Sequence, residues 1–135
     1  LRIPILERAE KVFKELGLPI TPRLAGTSSI DFAVAGASKT TAVHWILENT
    51  EKLKGISLNK DQLLADSSLI EVWGDKYSTI NGGTDRHICE GLPKDVRAID
   101  FRQEEPSELP TGYNIQFWDG QKHLHHGLLE YLQSR

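Results

Sequence analysis

The chain has 135 residues, 39% apolar and 26% charged, which suits one ordinary domain or parts of two with a real core. The net charge is −3 and the pI about 5.9; no basic run exceeds two residues, which excludes the electrostatic footprint of a nucleic-acid binder. No apolar stretch nears the roughly 20 residues of a membrane span, and no signal-peptide pattern opens the chain. The single cysteine, Cys89, excludes an internal disulfide and fits a reducing compartment, so the expected location is cytoplasmic. The chain begins at Leu1 and contains no methionine, which is expected of a processed or truncated piece.

Helical spacing of Leu6, Ala9, Val12, Phe13 and Leu16 predicts an amphipathic helix over 4–16, with Pro4 in its first turn and Gly17 as its stop. Two strands follow, over 19–26 and 29–35, joined at Thr27-Ser28 as a hairpin. Pro22 marks the first as an edge or broken strand. After Gly36-Ala37, Ser38 reads as the N-cap of a helix over 39–54 whose apolar face is Val43, Ile46, Leu47 and Leu53. A short helix over 58–65 has Asn59 as its cap, and 69–73 is the clearest strand in the chain. A helical turn over 84–90, strands over 96–101 and 113–118, a proline-bearing loop between those strands, and a last helix from Gln121 complete the order. In that helix Leu124, Leu128, Tyr131 and Leu132 are expected to face inward. The pattern is that of an α/β sheet with helical cover.

Chemistry concentrates where the 69–73 strand ends in Gly74-Asp75 and a loop delivers Gly82-Gly83-Thr84-Asp85. Open α/β sheets bind ligands beyond the carboxyl ends of their strands, and hard cations take carboxylate oxygens. Asp75 and Asp85 are therefore candidate ligands for Mg²⁺. The alternative is a strand-end aspartate capping a turn, with Asp85 favoured by the dipole of a helix start. Lys39 lies in the first turn of its helix beside Ser38, Thr40 and Thr41, where free amides and an ammonium suit a phosphate; the alternative is a solvated lysine. The string around Lys39 resembles a P-loop but fails it, because the required glycines are replaced by Ala33 and Ser38. His123, His125 and His126 cluster near the last helix and read as solvated histidines before they read as metal ligands. His44 and His87 read as structural, Cys89 lacks an arguable His–acid partner, and Trp73 and Trp118 are expected in the core.

At these residues the chain resembles the haloacid dehalogenase superfamily of phosphotransferases, in the branch with a large α/β cap that includes Cof-type sugar phosphatases, sucrose phosphatase and eukaryotic phosphomannomutase. The run from Ser29 to Val43 is similar to the last cap strand, the return linker and the third motif, whose lysine falls on Lys39. Gly74-Asp75-Lys76 with Gly82-Gly83-Thr84-Asp85 is similar to the fourth motif. Thr84 departs from it, since the family usually has asparagine there.

The resemblance implies the end of an α+β cap over residues 1–36 and the C-terminal half of a Rossmann-like core, a mostly parallel sheet with helices, over 37–135. It implies a Mg²⁺-dependent phosphatase (a hydrolase) acting on a phosphorylated sugar or similar small metabolite, or alternatively a phosphomutase. Asp75 would lie at the metal with Asp85 in support, Lys39 would neutralise charge, and Ser38, Thr40, Gly74, Gly82, Gly83 and Thr84 would shape the phosphate loop. The family's nucleophile lies in an Asp-x-Asp-x-Thr/Val motif, and no Asp-x-Asp occurs in these 135 residues. The chain by itself is therefore expected to be inactive, and its exposed sheet edges to favour self-association. A non-catalytic α/β interaction domain that retains a cation site is the alternative of another class.

Overall fold

A computed structural model describes residues 2–25, 28–80 and 82–135. Its contacts fall into two compact units, Leu1–Ser38 and Lys39–Arg135.

In the first unit, helix α1 (Arg2–Glu15) precedes strands β1 (Ile20–Ala25) and β2 (Ser29–Val34), which pair antiparallel from Ile20↔Val34 to Ala25↔Ser29. Gly26 and Thr27, where the end of the first strand and its turn are expected, lie outside the described residues. The helix stops at Gly17 for a backbone reason. Gly17 has φ +63°, Leu18 N–H reaches the Phe13 carbonyl at 2.9 Å, and Gly17 N–H reaches that of Lys14 at 3.2 Å. Both orphan carbonyls are thereby satisfied in a Schellman cap. Pro22 is tolerated because each strand of a two-stranded ribbon keeps an open edge. Phe13 meets Phe32 edge-on at 5.4 Å. Leu6, Ala9, Val12 and Phe13 are half-buried as their spacing predicts, but Leu16, beside the cap, remains 65% exposed.

The second unit is a mixed α/β body around a parallel sheet. Its elements are α2 (Lys39–Glu48), α3 (Lys60–Ala65), β3 (Glu71–Gly74), α4 (Arg86–Cys89), β4 (Arg97–Asp100), β5 (Ile115–Phe117) and α5 (Leu124–Gln133). The strand order is β3-β4-β5, all parallel, with Glu71 opposite Arg97 and Ala98 opposite Ile115. Helix α2 ends well before the expected residue 54, because Asn49 turns its side-chain amide onto the Trp45 carbonyl at 2.8 Å and the chain continues as a 3₁₀ turn over Thr50–Lys52. Asn59 does cap α3. Its side chain accepts from Gln62 N–H while the Gln62 side chain accepts from Asn59 N–H, both at 2.9 Å.

Alternation along β4 divides the core. Ala98 faces Val72, Tyr77, Cys89 and Val96, whereas Ile99 and Phe101 pack with Tyr131, Trp118 and Leu128. From α5, Tyr131 is buried as expected, yet Leu124 and Leu132 stay 36% and 45% exposed. Trp73 is likewise 42% exposed, held at the surface by donating its indole N–H to Glu71 at 2.6 Å. Among the described residues, no helix is long and apolar enough to cross a membrane.

Candidate functional site

β3 ends on Gly74, and the next residue is Asp75. The loop that follows returns through Gly82 and Gly83 to place Asp85 at the start of α4. Asp85 organises this corner. Its Oδ2 accepts the backbone N–H groups of Asp75 and Lys76, each at 2.9 Å. Its Oδ1 takes the Lys39 ammonium from the first turn of α2. The Asp85 side chain is only 9% exposed, so all three interactions occur in a partly desolvated place where charge-assisted hydrogen bonds are strong.

This close approach requires glycine. A Cβ on Gly74 would lie 2.8 Å from Asp85 Oδ2 and from the Tyr77 ring. One on Gly83 would lie 2.6 Å from the carbonyl oxygens of Lys76 and Ser78. Gly82 completes the turn with φ +68°.

Other acids brace the loop from the β4 side. Asp100, fully buried at the end of β4, accepts from Arg102 N–H and Glu104 N–H at 2.8 Å each and so sets the turn between them. Glu104 accepts from Tyr77 N–H at 2.5 Å and Ser78 N–H at 2.8 Å. Burial, aided by the Asp100 charge, raises its carboxyl above the usual range against the lowering effect of those amides. Glu108 accepts from the Ser78 hydroxyl at 2.6 Å. Burial also pushes the Tyr77 phenol up, with Cys89, Asp85 and Asp100 adding to it.

Asp75 behaves differently from Asp85. Its side chain is 48% exposed and pairs with Arg102 at 2.8 Å. It lines an open cleft of about 410 Å³ with Trp73, Asp85, Phe101, Leu124 and His125. Leu124 enters α5 with φ +53°, a conformation that costs a side-chain-bearing residue on the order of 1 kcal/mol.

The residues singled out in the sequence thus separate into roles. Lys39, Gly74, Asp75, Gly82, Gly83 and Asp85 meet in one corner. Thr40 points elsewhere, donating its hydroxyl to the His87 carbonyl at 2.6 Å and tying α2 to α4. Thr84 contributes its carbonyl to His87 N–H in the first turn of α4. Ser38 directly precedes α2. His125 lies against His126, ring centroids 4.0 Å apart and tilted at 42°, and borders the cleft, while His123 is the residue before α5. Cys89 is buried, and burial followed by the Asp85 charge pushes its thiol up to about 11, so it stays protonated at neutral pH. Sequence reasoning missed Asp100, Arg102, Glu104 and Glu108. Asp100 carried the same signal as Asp75, an acid closing an apolar strand; the others lie in a loop with no local pattern.

In this corner the donor type that suits a hard cation is the Asp75 carboxylate. Asp75 presents a half-exposed carboxylate beyond a parallel strand and already holds a positive group. Mg²⁺ is commonly held by one or two protein carboxylates, with water and phosphate oxygens completing the shell. Asp85 has both oxygens committed to groups of its own chain, the Lys39 ammonium and the N–H groups of Asp75 and Lys76.

No family model, curated protein or solved structure matches the chain.

Proposed function

We propose that this chain carries the lysine and cation corner of a Mg²⁺-dependent phosphoryl-transfer site with a haloacid dehalogenase-like core. The reading favours a phosphatase acting on a phosphorylated sugar or similar small metabolite. The observation that supports it is the single carboxylate of Asp85, which joins the Lys39 ammonium to the backbone of Asp75 and Lys76. A buried acid that fixes both a cationic side chain and the approach of a second, exposed acid is a preorganised electrostatic site. In this reading Asp75 would hold Mg²⁺, which supplies charge neutralisation at the phosphoryl oxygens. Lys39, whose ammonium Asp85 holds, would neutralise charge on the same oxygens. Gly74 and Gly83 let the loop close tightly enough for those contacts. The nucleophilic aspartate would come from a segment beyond these 135 residues.

Phosphate release from sugar phosphates tests the reading, using a gene product in which an Asp-x-Asp-x-Thr/Val segment precedes these residues. D75N and K39A should each lower kcat by about 10²-fold or more with the fold intact, the range for removing a preorganised charge partner. Full activity in D75N, or a gene product with no such segment and no cation binding, would sink it. A sugar phosphomutase is the alternative within the same chemistry, and the assay separates the two by product.

A second reading, an interaction domain that keeps the cation corner, draws on a different feature. Beside β3 lies an apolar groove of about 450 Å³, lined by Val43, Ile46, Leu63, Leu69, Val72 and Trp73 among others. Among the described residues, no strand pairs with the other edge of β3.

A further inference from the structure

The carboxylate best placed for a cation already holds one from its own chain. Arg102 donates from Nε to the Asp75 carbonyl at 2.6 Å and from Nη2 to Asp75 Oδ2 at 2.8 Å. The two ends of Arg102 are held very differently. Its backbone N–H is fixed by the fully buried Asp100 carboxylate at 2.8 Å, whereas its side chain is 46% exposed. An anchored backbone with a half-solvated guanidinium gives a group that can swing without disturbing the turn that carries it.

We propose that Arg102 gates the site: it neutralises Asp75 in the resting protein, and the guanidinium passes to the phosphate of a phosphomonoester when a divalent cation takes the Asp75 carboxylate. The inference deepens the proposed function and rests on Asp75 as the cation ligand. Arginine is permanently charged, so it and a divalent cation on the same carboxylate repel one another. Half-exposed ion pairs are weak, so releasing Arg102 is easy. A phosphate dianion offers the guanidinium fork two oxygens in the geometry it prefers, a better partner than one carboxylate oxygen and a carbonyl. Cation and phosphate should therefore strengthen one another's binding, and by linkage each does so equally. Binding would favour substrates that bring a dianionic phosphate over uncharged or singly charged analogues.

The test uses the 135-residue chain with Mn²⁺ as the probe, free Mn²⁺ being read by electron paramagnetic resonance with and without inorganic phosphate. Without phosphate, R102Q should bind Mn²⁺ about fivefold tighter than the parent, the upper range for losing a half-exposed competitor. R102K, which keeps the charge and loses the fork, should stay near the parent. Phosphate should tighten Mn²⁺ binding in the parent and have a smaller effect in R102Q. If D75N abolishes binding but R102Q binds no tighter than the parent, the Arg102 inference fails and the cation reading survives. If D75N binds Mn²⁺ as the parent does, or no form binds it, the cation reading fails and takes the gate with it.

Discussion

Asp85 sets the geometry of the candidate site because its one side chain satisfies three donors at once. Replacing it with alanine leaves two backbone N–H groups and an ammonium without their acceptor. The expected cost is about 2–4 kcal/mol, since the penalty comes from abandoned partners rather than from the lost bonds alone. Gly74→Ala attacks the same contact sterically. The added Cβ would fall 2.8 Å from Asp85 Oδ2 and the Tyr77 ring, and a fully buried ring cannot easily retreat. About 1–3 kcal/mol of destabilisation is expected, as for other overpacked sites. Urea unfolding of both variants measures this, and a parental midpoint for G74A would contradict the close-approach argument. At this scale much was legible. The Gly-Asp and Gly-Gly-Thr-Asp strings marked the corner, but only the fold separates the committed Asp85 from the exposed Asp75.

The elements of the second unit are tied at the opposite end of the sheet by Glu71. This residue opens β3 and accepts from the Tyr131 hydroxyl of α5 at 2.5 Å and from Arg135 at 2.9 Å. It also pairs with Arg97 at the start of β4 at 3.3 Å. Burial by itself would raise the Glu71 carboxyl, but the hydrogen bonds from Tyr131 and Trp73 and the charges of Arg135 and Arg97 outweigh it and hold it below the usual range. A depressed carboxyl stabilises the folded state above its unfolded value, here near 4.5, and loses that contribution as pH falls through the lower folded value. Stability should therefore fall on acidification in this window, and E71Q should remove part of the slope. Chemical denaturation of both proteins at neutral and acidic pH checks it, and equal pH dependence would refute the clasp. Strand and helix order was readable from apolar spacing and glycine punctuation, but this clasp was not, because Tyr131 and Arg135 lie 60 and 64 residues from Glu71.

Over the whole molecule, burial is uneven. In the first unit, Pro22 is the only buried residue among those described, and no residue of α1 is buried. The second unit places β4 between two parallel neighbours, with Ala98, Ile99 and Asp100 at 1%, 1% and 0% exposure. Local opening is easiest where few contacts are buried and hardest in a central strand. Amide hydrogen exchange should thus be slowest in β4 and fastest in α1 and the hairpin. Protection in α1 equal to that in β4 would show that the burial pattern misjudges local stability.

Apart from the family resemblance that linked Lys39 to the two acids, the sequence by itself determined the α/β order, the hairpin, the Asn59 cap and the placing of Asp75 and Asp85 at a strand end and its glycine loop. Those features rest on local rules, namely side-chain period, turn residues and an acid at a strand end. It also let α2 run too long, since periodicity through Leu53 does not reveal the Asn49 amide that ends the helix. Tertiary structure alone decided which way Trp73, Leu124 and Leu132 face, and that Asp100 and Glu104 brace the loop. It likewise placed Arg102 on Asp75 across 27 residues of chain. The physical reason is the same in each case: a carboxylate's partner is chosen by where folded backbone delivers an N–H or a guanidinium, and no local pattern encodes that distance.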